Sequence, residues 1–400
     1  MTANIISISP SEPPADPWQW MLETCLPVWA DPGIHPEFGG FVECLNHKLQ
    51  PALTSETRLR VQARQIYAFS HAYGLTGDTR WRDIASNGLE FLIEHGWDRD
   101  VGGWIHRLEP NGRTVDRRRD TYDHAFVLFA LAHYARWIDI QAVTPWINET
   151  LTFLTTEMAD PRHGGFMEER REASGILADP SPLPRRQNPH MHLFEALLAL
   201  FDATGDGHYL AQADQIFDLF ERHFRDPLNG SLAEYFDDQW TPLAGHQGSL
   251  REPGHHFEWV WLLHQYAKHR PSKRDTAHRH ARDLFVFATQ YGLTHLPDGS
   301  LIARDEVDSK GIALSNTARL WPQTEAIKAD LAMAVTGESD GNVAQQIMET
   351  LFRYYLDYQG GHWCDQITDE GIGISENVPT SSLYHLMMAI TEWHGHEPRR

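Results

Sequence analysis

The chain has 400 residues, of which 41% are hydrophobic and 22% charged, with 34 Lys and Arg against 55 Asp and Glu for a formal charge of −21. This is the composition of a packed globular protein, and so acidic a surface repels phosphate backbones and anionic lipid, which argues against nucleic-acid and membrane partners. Three cysteines (Cys25, Cys44 and Cys364) suit neither a disulfide framework nor a zinc cluster, no run of 18 apolar residues occurs, and residues 1–17 lack Lys and Arg. A cytoplasmic location is expected.

Residues 1–16 read as a flexible N-terminal segment and 17–395 as a single domain. A helix over about 17–30 comes first and is followed by Gly39-Gly40-Phe41. Helices at 58–73 and 81–94 precede Gly102-Gly103-Trp104, and helices at 121–138 and 143–158 precede Gly164-Gly165-Phe166. The pair at 190–204 and 208–223 leads to a degenerate copy, Asp226-Pro-Leu-Asn-Gly230-Ser-Leu. The pair at 253–268 and 273–290 leads to Asp298-Gly299-Ser-Leu, and the pair at 318–336 and 340–356 leads to Gly360-Gly361-His362-Trp363. A last helix, 380–394, has no successor and pairs with 17–30.

The glycines at 40, 103, 165, 230, 299 and 361 recur at spacings of 63, 62, 65, 69 and 62 residues. Such a period marks a repeat whose units must stack to bury their apolar faces. Within each pair the first helix is apolar nearly all round, as in Ala125-Phe-Val-Leu-Phe-Ala-Leu-Ala132 and Ala196-Leu-Leu-Ala-Leu-Phe201, and therefore lies inside. Six inner and six outer helices predict an all-α fold, an (α/α)6 barrel or six-hairpin toroid, with short Gly-Gly-aromatic hairpins between repeats.

Polar residues cluster where the inner helices begin. The clusters are Arg60, Gln62 and Arg64; Tyr122, Asp123 and His124; Asn188, His190, His192 and Glu195; His255, His256 and Glu258; Arg319, Trp321, Gln323 and Glu325; and Tyr384 and His385. Inner helices of such a toroid all start at one end, so these groups converge on one mouth. Buried charge is costly unless paired, and six clusters at one height are a poor way to build a packing core. A purely structural ion-pair network would use Arg and carboxylates rather than several histidines. His192 with Glu195, and His255 with Glu258, are three residues apart and share a helical face, as do Asn188 and His192 at four. A carboxylate beside an imidazole orients it and raises its basicity. His-x-x-Glu also resembles half of a di-metal site, but Arg, Gln and Trp do not ligate metals, and no metal is expected. His190 and His256 point away from these faces and read as supporting or packing groups.

Five segments resemble the N-acylglucosamine 2-epimerase superfamily, which includes mannose isomerases, the sulfoquinovose isomerase and cellobiose 2-epimerases. They are Gln62-Ala-Arg64-Gln-Ile-Tyr-Ala-Phe, Asn188-Pro-His-Met-His192-Leu-Phe-Glu195-Ala, Pro253-Gly-His255-His-Phe-Glu258-Trp, Leu320-Trp321-Pro-Gln323-Thr-Glu325-Ala and Ser382-Leu-Tyr384-His385. The resemblance implies the same (α/α)6 fold and a cofactor-free proton transfer at C2 of an open-chain sugar. It makes His255 and His385 the acid/base pair, with Glu258 orienting His255, and gives His192 ring opening together with Asn188. It makes Arg64 the ligand of the oxygens near C1–C3, Trp321 a sugar platform, and Tyr122, Gln323 and Glu325 further substrate-binding residues. A cation at Arg64 facing the enediolate makes an α-proton removable, and histidine titrates in the range a base needs. One base that returns the proton to the neighbouring carbon isomerises an aldose to a ketose. Two bases on opposite faces epimerise C2.

The segment Pro379-Thr-Ser-Ser-Leu-Tyr-His385-Leu resembles the mannose-isomerase branch, and the Asn and Arg that follow this histidine in cellobiose epimerases are absent. The expectation is D-mannose to D-fructose interconversion, with a sugar 2-epimerase as the alternative. A glycoside hydrolase, which needs two carboxylates across the pocket, and a non-catalytic sugar binder are the rival classes. The partner is a small monosaccharide, and the apolar content of the outer helices leaves room for a homodimer.

Overall fold

A computed structural model describes residues 16–396 apart from 174 and 179–183. The expected flexible segment, Asp16 excepted, lies outside the described residues. Asp16 caps the first helix, its carboxylate accepting from Trp18 N at 2.8 Å.

The inner helices are Leu59–Thr76, Thr121–Trp137, Asn188–Thr204, Pro253–His269, Leu320–Val335 and Leu383–His396. The outer ones are Thr79–Gly96, Ile140–Phe153, Gly207–Leu219, Arg274–Phe287, Asn342–Thr350 and the N-terminal stretch 17–30. Four of these outer helices run on into a π turn before the chain reverses, at Leu154–Met158, Phe220–Phe224, Ala288–Gly292 and Leu351–Tyr355. Every residue from 125 to 132 is buried, as a helix apolar on all sides must be. Outer helices bury one stripe, such as Trp81, Ala85, Leu89 and Leu92. The fold is an (α/α)6 barrel.

Inner and outer helices meet at the rear of the barrel through short turns. At the first, Gly77 takes a left-handed φ of 70° and Asp78 caps the next helix by accepting from Arg80 N. Outer helices return to the front through the glycine hairpins, each closed by antiparallel pairing such as Trp97 with Trp104 and Ala159 with Phe166. Gly103 shows why glycine is needed there. Its φ is 79°, and an added Cβ would lie 2.6 Å from the Phe153 ring.

Short ladders at the front, each two or three residues long, join every repeat to the next. Thr57–Arg58 pairs with Arg107–Leu108, Arg119–Asp120 with Glu169–Arg170, and Arg185–Arg186 with Tyr235–Phe236. Leu250–Arg251 pairs with Val307–Asp308, Thr317–Arg319 with Gln366–Thr368, and Val378–Pro379 with Cys44–Leu45. The sixth ladder joins the last repeat to the first and closes the ring. One strand of each ladder leads into an inner helix, so the ladders fix where all six helices start.

Candidate active site

Those six starts surround a cavity of about 420 Å³. Arg64, Tyr122, Asn188, His192, His255, Glu258, Trp321 and His385 line it, joined at the rim by Arg58, Glu252, Arg319, Asp365, Ser381 and Ser382. Eight of the ten residues singled out from the sequence thus face one space.

Three histidines in this wall are each held by a carboxylate at Nδ1, which leaves Nε2 for the cavity. His192 meets Glu195 at 3.0 Å, His255 meets Glu234 at 3.0 Å and His385 meets Glu325 at 2.9 Å. Trp321 stands between two of them, its ring 5.1 Å from that of His255 and 5.8 Å from that of His385. Arg64 is 7% exposed. Its guanidinium donates to Tyr122 Oη at 3.0 Å and to the Ser381 carbonyl at 3.4 Å, and it lies over the Phe126 and Tyr384 rings. Among the described residues no carboxylate pairs with it. Both Glu258 oxygens and Asn188 Oδ1 are buried without a hydrogen-bond partner among the described residues.

The surroundings push the histidines apart. Burial disfavours a charge on His255, but Glu234, Glu252 and Glu258 outweigh it and lift its pKa to about 10. For His385 burial wins over Glu325 and the pKa falls to about 4. His192 is also held well below the usual histidine range, by burial and then by Arg64 and His255. At neutral pH the cavity therefore holds one imidazolium, His255, and two neutral imidazoles. Burial, with Glu325 adding, holds Glu258 well above the carboxylate range.

Several expectations need correction. Glu258 does not orient His255. Its nearest histidine is His192, 3.7 Å away, and Glu234 holds His255 instead. Gln323 does not face the cavity: its amide accepts from Ala303 N and donates to Ala303 O, both at 2.7 Å, and so fastens a hairpin. Glu325 is fully buried behind His385 and also pairs with Lys328 at 2.6 Å, so it can position His385 but does not reach a ligand. Asn188 lines the cavity without bonding His192.

Sequence reasoning missed Glu234, Lys328, Glu252 and Asp365. For Glu234 a signal existed. An acid follows the hairpin by a few residues in several repeats and receives a backbone N–H where the next ladder or inner helix starts. Glu43 accepts from Arg58 N at 3.0 Å, Glu168 from Arg186 N at 3.2 Å, Glu234 from Glu252 N at 3.4 Å and Asp305 from Arg319 N at 2.6 Å. Aligning the repeats by their glycines brings these acids into view, and Glu234 is the one that also reaches a histidine.

Among the described residues, three groups of His and carboxylate have ligand atoms within 4.8 Å of one another: His192, Glu195 and Glu258; Glu234, Glu252 and His255; and His106, Asp120 and Asp123. These are the groups that could hold a cation, although in each the histidine Nδ1 already faces a carboxylate.

Comparison with known proteins gives the arrangement a context. A family model for N-acylglucosamine 2-epimerase matches residues 39–389. A protein of Rhizobium meliloti named mannose-6-phosphate isomerase is 34% identical, the match covering 93% of this chain and 94% of that one. A D-mannose isomerase of Marinomonas mediterranea is 25% identical over 93% of this chain and 94% of its own length. Among solved structures, a D-mannose isomerase superposes with a TM-score of 0.84 at 22% identity, covering 96% of this chain and 99% of that one. The cellobiose 2-epimerase of Bacillus thermoamylovorans gives 0.83 at 20% identity, over 94% and 97%. The match to the family model, spanning most of the barrel, and the 34% identical relative together show that this chain belongs to the N-acylglucosamine 2-epimerase family of sugar epimerases and isomerases.

Proposed function

We propose that the protein is a cytoplasmic, cofactor-independent isomerase that interconverts D-mannose and D-fructose. The observation that carries this reading is Arg64, a buried guanidinium with no carboxylate partner among the described residues, in a cavity that also holds a charged and a neutral histidine. A buried cation without a counterion is costly, and an enediolate formed beside it supplies the missing negative charge during the reaction alone, which is where binding accelerates chemistry.

The sugar lies against Trp321 with its hydroxyls toward Asn188, Tyr122 and the two free oxygens of Glu258. His192 assists ring opening. Neutral His385 then takes the C2 proton, the C–H electron pair becomes the C1–C2 double bond, and the His255 imidazolium protonates O1. In the second half His255 takes the proton of the O2 hydroxyl, the C2 carbonyl forms, and His385 returns its proton to C1. Two groups whose environments drive their pKa values apart are what such an acid/base division requires.

The second reading is C2 epimerisation. Its support is that His255 and His385 both flank Trp321, so a proton removed from one face of C2 could be replaced from the other. A hydrolase finds less support, because Glu195 and Glu325 are committed to histidines. Arg319, exposed at the rim and without a side-chain partner among the described residues, is the feature that would favour a 6-phosphate, but Glu252 and Asp365 face it and oppose a dianion.

Proton NMR of D-mannose, mannose 6-phosphate, N-acetylglucosamine and cellobiose in D2O with the enzyme and EDTA tests the reading. Conversion of mannose to fructose is expected, with deuterium at C1 to the extent that protonated His385 exchanges with solvent before it returns its proton. Deuterium at C2 of an epimer supports the second reading, and no conversion of any of these sugars refutes both.

A further inference from the structure

A second cavity, of about 330 Å³, occupies the opposite end of the barrel, where the inner helices finish. It opens to solvent past the exposed Arg136 and Lys268, and Tyr67, His133 and Trp261 form part of its wall. Glu195 also lines it. The same Glu195 carboxylate is 2% exposed and lies 3.0 Å from Nδ1 of His192, a residue of the front cavity. Glu195 therefore lines the rear space and, through His192, is one hydrogen bond away from the front one.

From these contacts the geometry points to a proton port: Glu195 passes protons between His192 and water in the rear cavity while a bound sugar fills the front one. The inference rests on the proposed sugar chemistry and adds a route to it. In ring opening His192 Nε2 accepts the proton of the anomeric O1–H and releases its Nδ1 proton to Glu195. The C1–O5 bond breaks, and O5 takes a proton from Glu258, 3.7 Å from His192. Glu195 hands its proton to rear water. Ring closure of the product reverses each transfer, so the cycle consumes and releases no net proton.

The groups around Glu195 suit a carboxylate that changes charge. Tyr384 Oη donates to both of its oxygens at 2.7 Å from the sixth inner helix. Lys328 and Glu325 act on it from the fifth, Glu258 from the fourth, and Tyr67 from the first. Glu392 lines the same cavity from the sixth. Burial, opposed by Lys328 and Tyr384, brings the Glu195 pKa to about 7, so both of its states are populated near neutrality.

The test uses the full chain and the sugar that the unmutated protein turns over. Glu195→Gln keeps the size and most hydrogen bonds of the side chain but cannot carry a proton in this way. The expected kcat loss is about 100-fold, with KM little changed and circular dichroism intact. Glu195→Ala opens a gap from the rear, and sodium formate is expected to restore turnover in proportion to its concentration. Adding Ala199→Phe, which narrows the rear cavity, is expected to abolish that rescue. A Glu195→Gln enzyme within about threefold of the parent, or formate rescue that survives Ala199→Phe, overturns the port. An unmutated protein that turns over no sugar overturns the proposed function and the port with it.

Discussion

At the scale of single residues, the cavity works through how its ionisable groups are charged. His255→Ala and His385→Ala are each expected to lower kcat by about 100-fold or more, with the fold intact by circular dichroism; near-normal turnover in either would remove it from the acid/base pair. Arg64→Ala is expected to depress kcat more than it raises KM, because the guanidinium meets full negative charge only in the transition state. The pH profile follows from the charges. The C1–C2 transfer needs His385 neutral and His255 protonated, so these two groups set limits on kcat/KM near pH 4 and near pH 10. Where ring opening through Glu195 limits the rate, an earlier acid limb near pH 7 is expected. Glu234 is a main support of the His255 charge. Glu234→Gln is expected to lower the His255 pKa and move the alkaline limb toward neutrality while the acid limb stays in place. The same ion pair links to folding. The His255 pKa is raised from 6.5 to about 10 in the folded state, so its contribution to stability is complete below pH 6.5 and is lost as pH climbs through about 10. A Tm series across that range should fall more steeply for the parent than for Glu234→Gln.

At the scale of elements, one device recurs and explains several histidines that carry no chemistry. His124 donates from Nδ1 to Asp120 O at 2.8 Å and accepts Trp104 N at Nε2 at 3.0 Å. His190 does the same with Arg186 O and Phe166 N, and His256 with Glu252 O and Leu232 N. Accepting a backbone N–H requires a lone pair, so these rings must be neutral, and burial brings their pKa values to about 4, 3 and 4. Gln62 and Gln323 clamp Phe41 and Ala303 in the equivalent places through both amide atoms. His124→Ala should therefore cost about 1–3 kcal/mol, the penalty of a buried N–H left unpaired, whereas His124→Gln should recover part of it; urea unfolding of the two variants measures the difference. This device also shows what was legible beforehand. Helix pairs and glycine hairpins announce themselves because apolar periodicity and positive φ leave residue-level marks, and the start of each inner helix was visible in its polar cluster. A clamp and a ligand, however, occupy neighbouring positions on the same helix and use the same residue types. Gln323 and His385 differ in the direction they face, which spacing alone did not resolve. The ladders left no trace at all. Strands of two or three residues have no alternation to read, and they form only because the ring holds their partners in place.

At the scale of the whole molecule, closure matters more than the order of the chain. The first outer helix packs beside the last inner one, with the Trp18 and His394 rings stacked at 5.2 Å, and the ladder of Val378–Pro379 with Cys44–Leu45 joins the two ends at the front. No repeat is terminal in space, so a break in the chain at any rear turn should be equivalent to the gap between residues 396 and 16. The rear turn at Gly77 is the best place to test this, because it is exposed, short and at the end of the barrel opposite the candidate site. A circular permutant whose chain starts at Asp78, with a flexible linker joining residues 396 and 16, should fold to the same barrel and keep kcat and KM close to those of the parent, since chain ends that lie close together tolerate such a change. A cut in the front ladder before Leu59 has the opposite expectation. It frees the strand that sets the height of Arg64, and turnover should fall even where the helical content by circular dichroism is preserved. Equal activity of the two permutants would mean that the ladders do not position the cavity wall.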